Sequence, residues 1–153
     1  MHFRVILRII GTLLMVFSLT LLVPAILGWF AKDGAAGAFI QAFFVTFSSG
    51  TVMWLFVRKQ RNDLNIRDGF LIVALFWGVL GLFGALPFAL AEATQLSPSD
   101  AIFESISGLT TTGATVITGL DELPISILFY RQLLQWLGGI GIIVIAVAIL
   151  PIL

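Results

Sequence analysis

The sequence predicts an all-α membrane protein with four transmembrane helices and one short re-entrant helix and loop. Three observations predict it. Of the 153 residues, 59% are hydrophobic and only 10% charged, with a mean hydropathy of +1.12, whereas a globular domain carries about 25% charged residues to keep its surface wet. The few charges divide the chain into four long uncharged runs. One further stretch, between the third and fourth runs, is too long for a simple turn and has a half-span's worth of apolar helix within it.

The runs are Ile9 to Ala31, Gly34 to Val57, Gly69 to Ala91 and Gln132 to Leu153, of 23, 24, 23 and 22 residues. A helix of 23 residues is about 35 Å long, enough to cross a hydrocarbon core of about 30 Å. Arg4 and Arg8 ahead of the first run resemble the start of a signal peptide. That run exceeds the usual apolar region of about 7–15 residues and no small-x-small cleavage site follows it, so a retained first helix is expected. Pro24 and Pro87 are read as kinks near span ends.

Charge and composition exclude several functions. Eight basic residues balance eight acidic ones, which leaves no cationic surplus for nucleic acid. The absence of cysteine excludes disulfide frameworks, thiolate metal sites and thiol catalysis. Arg4, Arg8, Arg58, Lys59, Arg61 and Arg67 fall on one side of alternating spans, and Lys32 and Arg131 on the other. The N-terminus and the 58–67 loop are therefore expected in the cytoplasm. Asp33, Glu92, Asp100, Glu104, Asp121 and Glu122 fall outside, where an acid-rich mouth concentrates cations.

The stretch from Glu92 to Arg131 carries the functional signal. Ser97-Pro98-Ser99-Asp100 reads as a helix start, with Ser97 as cap, Pro98 where a missing N–H costs nothing, and Asp100 three residues after the cap. The helix is expected to run to Leu109, about 18 Å or half a bilayer. It ends at Thr110-Thr111-Thr112-Gly113-Ala114-Thr115 and returns through Val116 to Leu123. Irregular backbone at membrane depth is tolerated only beside protein or a water-filled pore. Gly113 has access to the positive φ that a ladder of carbonyls requires, the helix end favours a cation, and carbonyl rings replace the hydration shell of potassium. The residues alone leave a second reading open, a polar external loop bearing a capped surface helix. Glu104, a carboxylate midway along the short helix, is costly unless paired or wet; it is read as a group that holds the loop's shape from behind. Arg131 has Glu104, Asp121, Glu122 or the interface as its alternatives. Gly78, Gly81, Gly84 and Ala85 read as a packing face. Gly138, Gly139 and Gly141 read as a hinge or as a close approach behind the loop.

The stretch Phe103-Glu104-Ser105-Ile106-Ser107-Gly108-Leu109-Thr110-Thr111-Thr112-Gly113-Ala114-Thr115 resembles the first filter loop of the Trk/Ktr/HKT potassium-transporter superfamily. Arg131-Gln132-Leu133-Leu134-Gln135-Trp136-Leu137-Gly138-Gly139-Ile140-Gly141 resembles the start of the helix that follows that loop. Met1-His2-Phe3-Arg4 and Asp68-Gly69-Phe70-Leu71 narrow the resemblance to the bacterial TrkH-like branch. It implies that residues 1–68 hold two preceding helices and a basic loop, and that 69–153 form the first helix–pore loop–helix repeat. Members carry four repeats on one chain, so this chain is expected to be the first part of a longer polypeptide, supplying one of four filter loops.

The implied function is potassium uptake across the bacterial inner membrane, by channel or symporter, as the ion-translocating subunit of a Trk-type system. Potassium would be held by main-chain oxygens of Thr110, Thr111, Thr112, Gly113 and Ala114, with Glu104 and Arg131 in support. The resemblance further implies a homodimer and a cytosolic, nucleotide-binding TrkA-type regulatory partner, with no catalytic residue, no cofactor and no nucleic acid. A secondary transporter binding a solute at a broken membrane helix is the alternative from another class.

Overall fold

The computed structural model describes residues 3–57 and 66–149, with side chains for 3–57 and 69–143. The basic 58–67 loop on which the expected orientation leans lies outside the described side chains. Helix α1 (Phe3–Thr20) and helix α2 (Leu22–Ala31) follow one another through Leu21, and helix α3 (Ala36–Val57) returns alongside them. Helix α4 (Ile66–Gly84) leads into the short helix α5 (Leu86–Leu90), helix α6 spans Pro98–Leu109, and helix α7 spans Ile125–Ile149. Single 3₁₀ turns lie at Glu92–Thr94 and Leu120–Glu122.

Three segments among the described residues are long and apolar enough to cross a membrane: Phe3–Ala31, Ala36–Val57 and Gly69–Leu90. The second and third lie within the second and third uncharged runs, and the first contains the whole of the first run and extends back past Arg8 and Arg4. The fourth run falls on α7, whose backbone is helical to Ile149; residues 150–153 lie outside the described set. The helix is interrupted near both prolines. Pro24 and Pro87 have no N–H to give to the preceding turn, and regular helix is interrupted just before each, at Leu21 and at Ala85.

The bundle is held by close backbone approaches and by a few buried aromatic groups. Helix α1 packs on α3 and α4, α2 packs on α3 and α7, and α6 is wedged between α4, α5 and α7. Where α1 crosses α3, Gly11 and Gly50 face each other. A Cβ at Gly11 would lie 2.8 Å from the Gly50 carbonyl oxygen, and one at Gly50 would lie 2.7 Å from that of Gly11. Tyr130 of α7 is fully buried between Phe39 of α3 and Phe88 of α5, with ring centroids 5.3 Å and 5.1 Å away. Its hydroxyl donates a 2.8 Å hydrogen bond to the Gly84 carbonyl at the α4–α5 break. A backbone acceptor exposed by the break is thereby satisfied away from water.

The turn between α2 and α3 also positions α7. Lys32 closes α2 in the left-handed region, at φ 54° and ψ 37°, with its N–H donated to Gly28. Asp33 then accepts from the Ala35 N–H at 3.0 Å through one carboxylate oxygen, and from the Ser126 N–H at 3.0 Å through the other. Ser126 lies in the first turn of α7, so a residue 93 positions away caps that helix. Burial opposes the charge on Asp33, but the hydrogen bonds from Ser126 and Ala35 outweigh it and hold the carboxyl below the ordinary aspartate value.

Two outcomes follow from this packing. Gly11→Ala and Gly50→Ala should each lower the melting temperature of the intact protein in detergent, since the added methyl meets backbone; overpacking of this kind costs about 1–3 kcal/mol. Unchanged melting in both variants would show that α1 and α3 separate freely. Because the folded pKa of Asp33 is depressed, its stabilisation is present above the ordinary value and lost as pH falls through the lower one. Asp33→Ala should therefore melt earlier than wild type at neutral pH, and the gap should narrow as pH falls through and below the ordinary aspartate range.

Candidate functional site

The site is built from α6, the loop after it and the first half of α7. The expected helix start is present in detail. Ser97 Oγ accepts from the Asp100 N–H at 3.2 Å and donates to the Asp100 carboxylate at 2.7 Å, with Pro98 as the first helical residue. The helix then ends at Leu109, as its apolar stretch predicts.

At its C-terminus the main chain folds back on the helix it has just left. The Thr110 N–H bonds to Ile106, that of Thr111 to Gly108 at 2.9 Å, and those of Thr112 and Gly113 to the Ser107 carbonyl at 3.0 and 3.3 Å. The orphan carbonyls of a helix end are thus paired. All the N–H groups from 110 to 113 turn inward, while the residues of 110–116 are exposed on the surface of the chain. Among the described residues no donor reaches the carbonyls of Thr110, Thr111, Thr112 or Gly113. The Ala114 carbonyl differs, because it accepts a 2.6 Å hydrogen bond from Ser107 Oγ. Thr110 Oγ1 donates to the Ile106 carbonyl and lies 2.9 Å from Thr112 Oγ1.

Two residues of the loop take positive φ. Gly113 does so at 74°, the conformation expected of it, and Thr111 does so at 59°. A β-branched residue in the left-handed region is strained, at a cost of about 1–3 kcal/mol, and persists only where its surroundings over-determine it. Here both neighbouring N–H groups and its own are tied to α6. Nothing in the sequence pattern marks Thr111 for that conformation.

Glu104 is 3% exposed and holds three donors. Its Oε1 accepts from Arg131 Nε at 2.8 Å and from Thr115 Oγ1 at 2.7 Å, and its Oε2 accepts from the Val116 N–H at 3.1 Å. The alternatives open for Arg131 are resolved in favour of Glu104, whose side chain is fully buried while that of Arg131 remains 12% exposed. Although Glu104 belongs by sequence to the acid-rich side, it is a paired interior charge. Asp100 and Glu122 instead line one surface hollow, and Asp33 and Glu92 another.

Helix α7 backs the loop through small residues. A Cβ at Gly138 would collide with the Leu109 carbonyl, one at Gly108 would lie 3.1 Å from Leu134 Cβ, and one at Gly139 would lie 4.0 Å from Thr111 Cγ2. Of the two readings open for these glycines, close approach holds at Gly138, while Gly139 makes only an ordinary contact. Gly141 faces Trp77 and Phe76. On α4 the predicted small face is real at Gly81 and Gly84, which meet Ile106 and Ser105, while Gly78 has open space. The sequence reading missed Ser107, Thr115 and Gln135, whose Nε2 sits 3.7 Å from a Cβ at Gly113. A serine two residues before a helix end and a glutamine one turn after Arg131 were the only signals available.

Losing one partner of a buried ion pair strands the other charge and costs about 3–5 kcal/mol. Glu104→Gln should thus destabilise the intact protein strongly in thermal unfolding. The double variant Glu104→Gln/Arg131→Met should lose less than the two single losses added together. Strict additivity would show that the two residues do not act as a pair.

Residues 35–153 match the TrkH family, described as a cation transport protein. The chain is 58% identical over its whole length to the Trk system potassium uptake protein TrkH of Escherichia coli K12, and 60% identical to that of Halomonas elongata. It superposes on the crystal structure of the potassium transporter TrkH from Vibrio parahaemolyticus with a TM-score of 0.94, at 58% identity over 99% of the chain. In each case it spans 32% of the longer relative. The activity of the matched family is ion transport and not catalysis. With a match over more than half its length and a fold shared along nearly all of it, the chain belongs to the TrkH family of multi-pass membrane cation transport proteins.

Proposed function

We propose that the chain is part of the ion-translocating subunit of a Trk-type potassium uptake system, in which the loop 110–114 supplies one of four walls of a potassium filter. The observation that carries this reading is the run of four main-chain carbonyls, Thr110 to Gly113, left without donors at the C-terminal end of a 12-residue helix. Carbonyl oxygens in such a row substitute for the water around a potassium ion, and the negative end of the α6 dipole favours the cation there. Ala114 is the fifth main-chain oxygen, already sharing one lone pair with Ser107. Glu104 and Arg131 carry no ion themselves; they fasten the loop to α6 and α7 from behind.

On this reading α6 is re-entrant, and Phe3–Ala31, Ala36–Val57, Gly69–Leu90 and α7 are the four spans. Residues 1–68 precede the first helix–pore loop–helix repeat at 69–153. The N-terminus lies in the cytoplasm of a bacterial inner-membrane protein, the assembly is a homodimer, and a TrkA-type nucleotide-binding subunit regulates it. The identity to TrkH potassium uptake proteins supports the cargo, and the six basic residues at 4, 8, 58, 59, 61 and 67 support the orientation. The alternative of a solute site at a broken helix loses its best candidate, because the Gly84 carbonyl at the α4–α5 break is taken by Tyr130.

Gly113→Ser tests the filter. At φ 74° the position resists any L side chain, although only Gln135 Nε2 lies within 4 Å of an added Cβ. The strain falls on the backbone that carries the carbonyls. In flux measurements on the intact protein the variant should lose preference for potassium over sodium, and unchanged selectivity would overturn the assignment of 110–114.

A further inference from the structure

Ser107 departs from Ser18, Ser48 and Ser49. Ser18, Ser48 and Ser49 each donate back to a carbonyl three or four residues earlier in their own helix, the ordinary resort of a helical hydroxyl. Ser107 donates forward across the loop to Ala114, seven residues on, at 2.6 Å. Its own carbonyl meanwhile receives the Thr112 and Gly113 N–H groups. One buried residue therefore grips the loop twice, at 112–113 through its main chain and at 114 through its side chain.

We infer that Ser107 is a positioning residue for ion selectivity: its hydroxyl restrains the Ala114 carbonyl and thereby spaces the donor-free carbonyls of Thr110 to Gly113 for potassium. The inference rests on the proposed role of 110–114 as a filter wall. A carbonyl oxygen that already accepts a short hydrogen bond has less electron density for a cation, and its direction is set by the donor. Oxygens held at a fixed spacing discriminate between cations by size. An oxygen released at the end of the row is free to close on the smaller, more strongly hydrated sodium ion, and so is the segment it terminates.

The test is the potassium-to-sodium flux ratio of the intact protein in proteoliposomes, together with its melting temperature. Wild type is measured first: a ratio near one removes the filter assignment itself, and with it this inference. Where wild type prefers potassium, Ser107→Ala should lower the ratio by about two- to tenfold, the range that one lost hydrogen bond allows. Ser107→Thr, which keeps the hydroxyl, should restore it. A ratio unchanged in Ser107→Ala, even with lower flux or melting temperature, would make Ser107 a packing residue and overturn the inference. Failure of Ser107→Thr to recover the ratio would do the same. Should Ser107→Ala not fold, Ser107→Cys, with its weaker donor, is expected to give a ratio between alanine's predicted loss and wild type, and a wild-type ratio there would refute the role.

Discussion

A carboxylate taken out of water must be matched by donors, and Glu104 finds its donors on segments that are far apart in the chain. Arg131 comes from α7, Thr115 and Val116 come from the segment returning from the loop, and Glu104 itself stands in the middle of α6. Satisfying one buried charge therefore fixes the short helix, the returning segment and the long helix relative to one another. The loop 110–114 is strung between two of these fixed points. Its shape, including a threonine held at positive φ, is tolerable only because both of its ends are tied down.

The same requirement organises the start of α7. Ser126 is capped by Asp33 from the α2–α3 turn, Tyr130 donates to the broken end of α4, and Arg131 pairs with Glu104 of α6. Within six residues, α7 meets three otherwise separate parts of the molecule through polar groups that would be costly to bury alone. Small residues then let it close up behind the loop, with Gly138 against the Leu109 carbonyl and Gly108 against Leu134. Polar contacts set the docking, and glycines set how near the backbones come.

Much of this was legible in the residues. The three apolar segments that meet the length and hydropathy needed for a membrane overlap the first three uncharged runs, because in lipid the composition of a segment and its helical structure answer to one constraint. Helix α6 was readable to the residue at both ends, since Ser97, Pro98 and Asp100 act on neighbouring backbone and the Thr/Gly run stops the helix locally. The positive φ of Gly113 was foreseeable from its missing Cβ. Thr111 was not, because its conformation comes from hydrogen bonds to α6 and opposes its own preference. Gly78, Gly81 and Gly84 look alike in sequence, yet only the latter two face α6.

By itself the sequence determined what is local or compositional: a membrane-embedded all-helical chain, its kinks at proline, a capped short helix and a threonine–glycine loop after it. Tertiary structure decided which distant groups meet. Arg131 had three carboxylates within plausible reach by sequence, and only the packing of α6 against α7 selects Glu104, 27 residues away. Ser107 looked like an ordinary helical serine until the loop folded back over it. The physical reason is that periodicity and capping record what each residue does to its own turn of backbone, while the partner of a buried polar group is set by the crossing of helices that no single stretch of sequence contains.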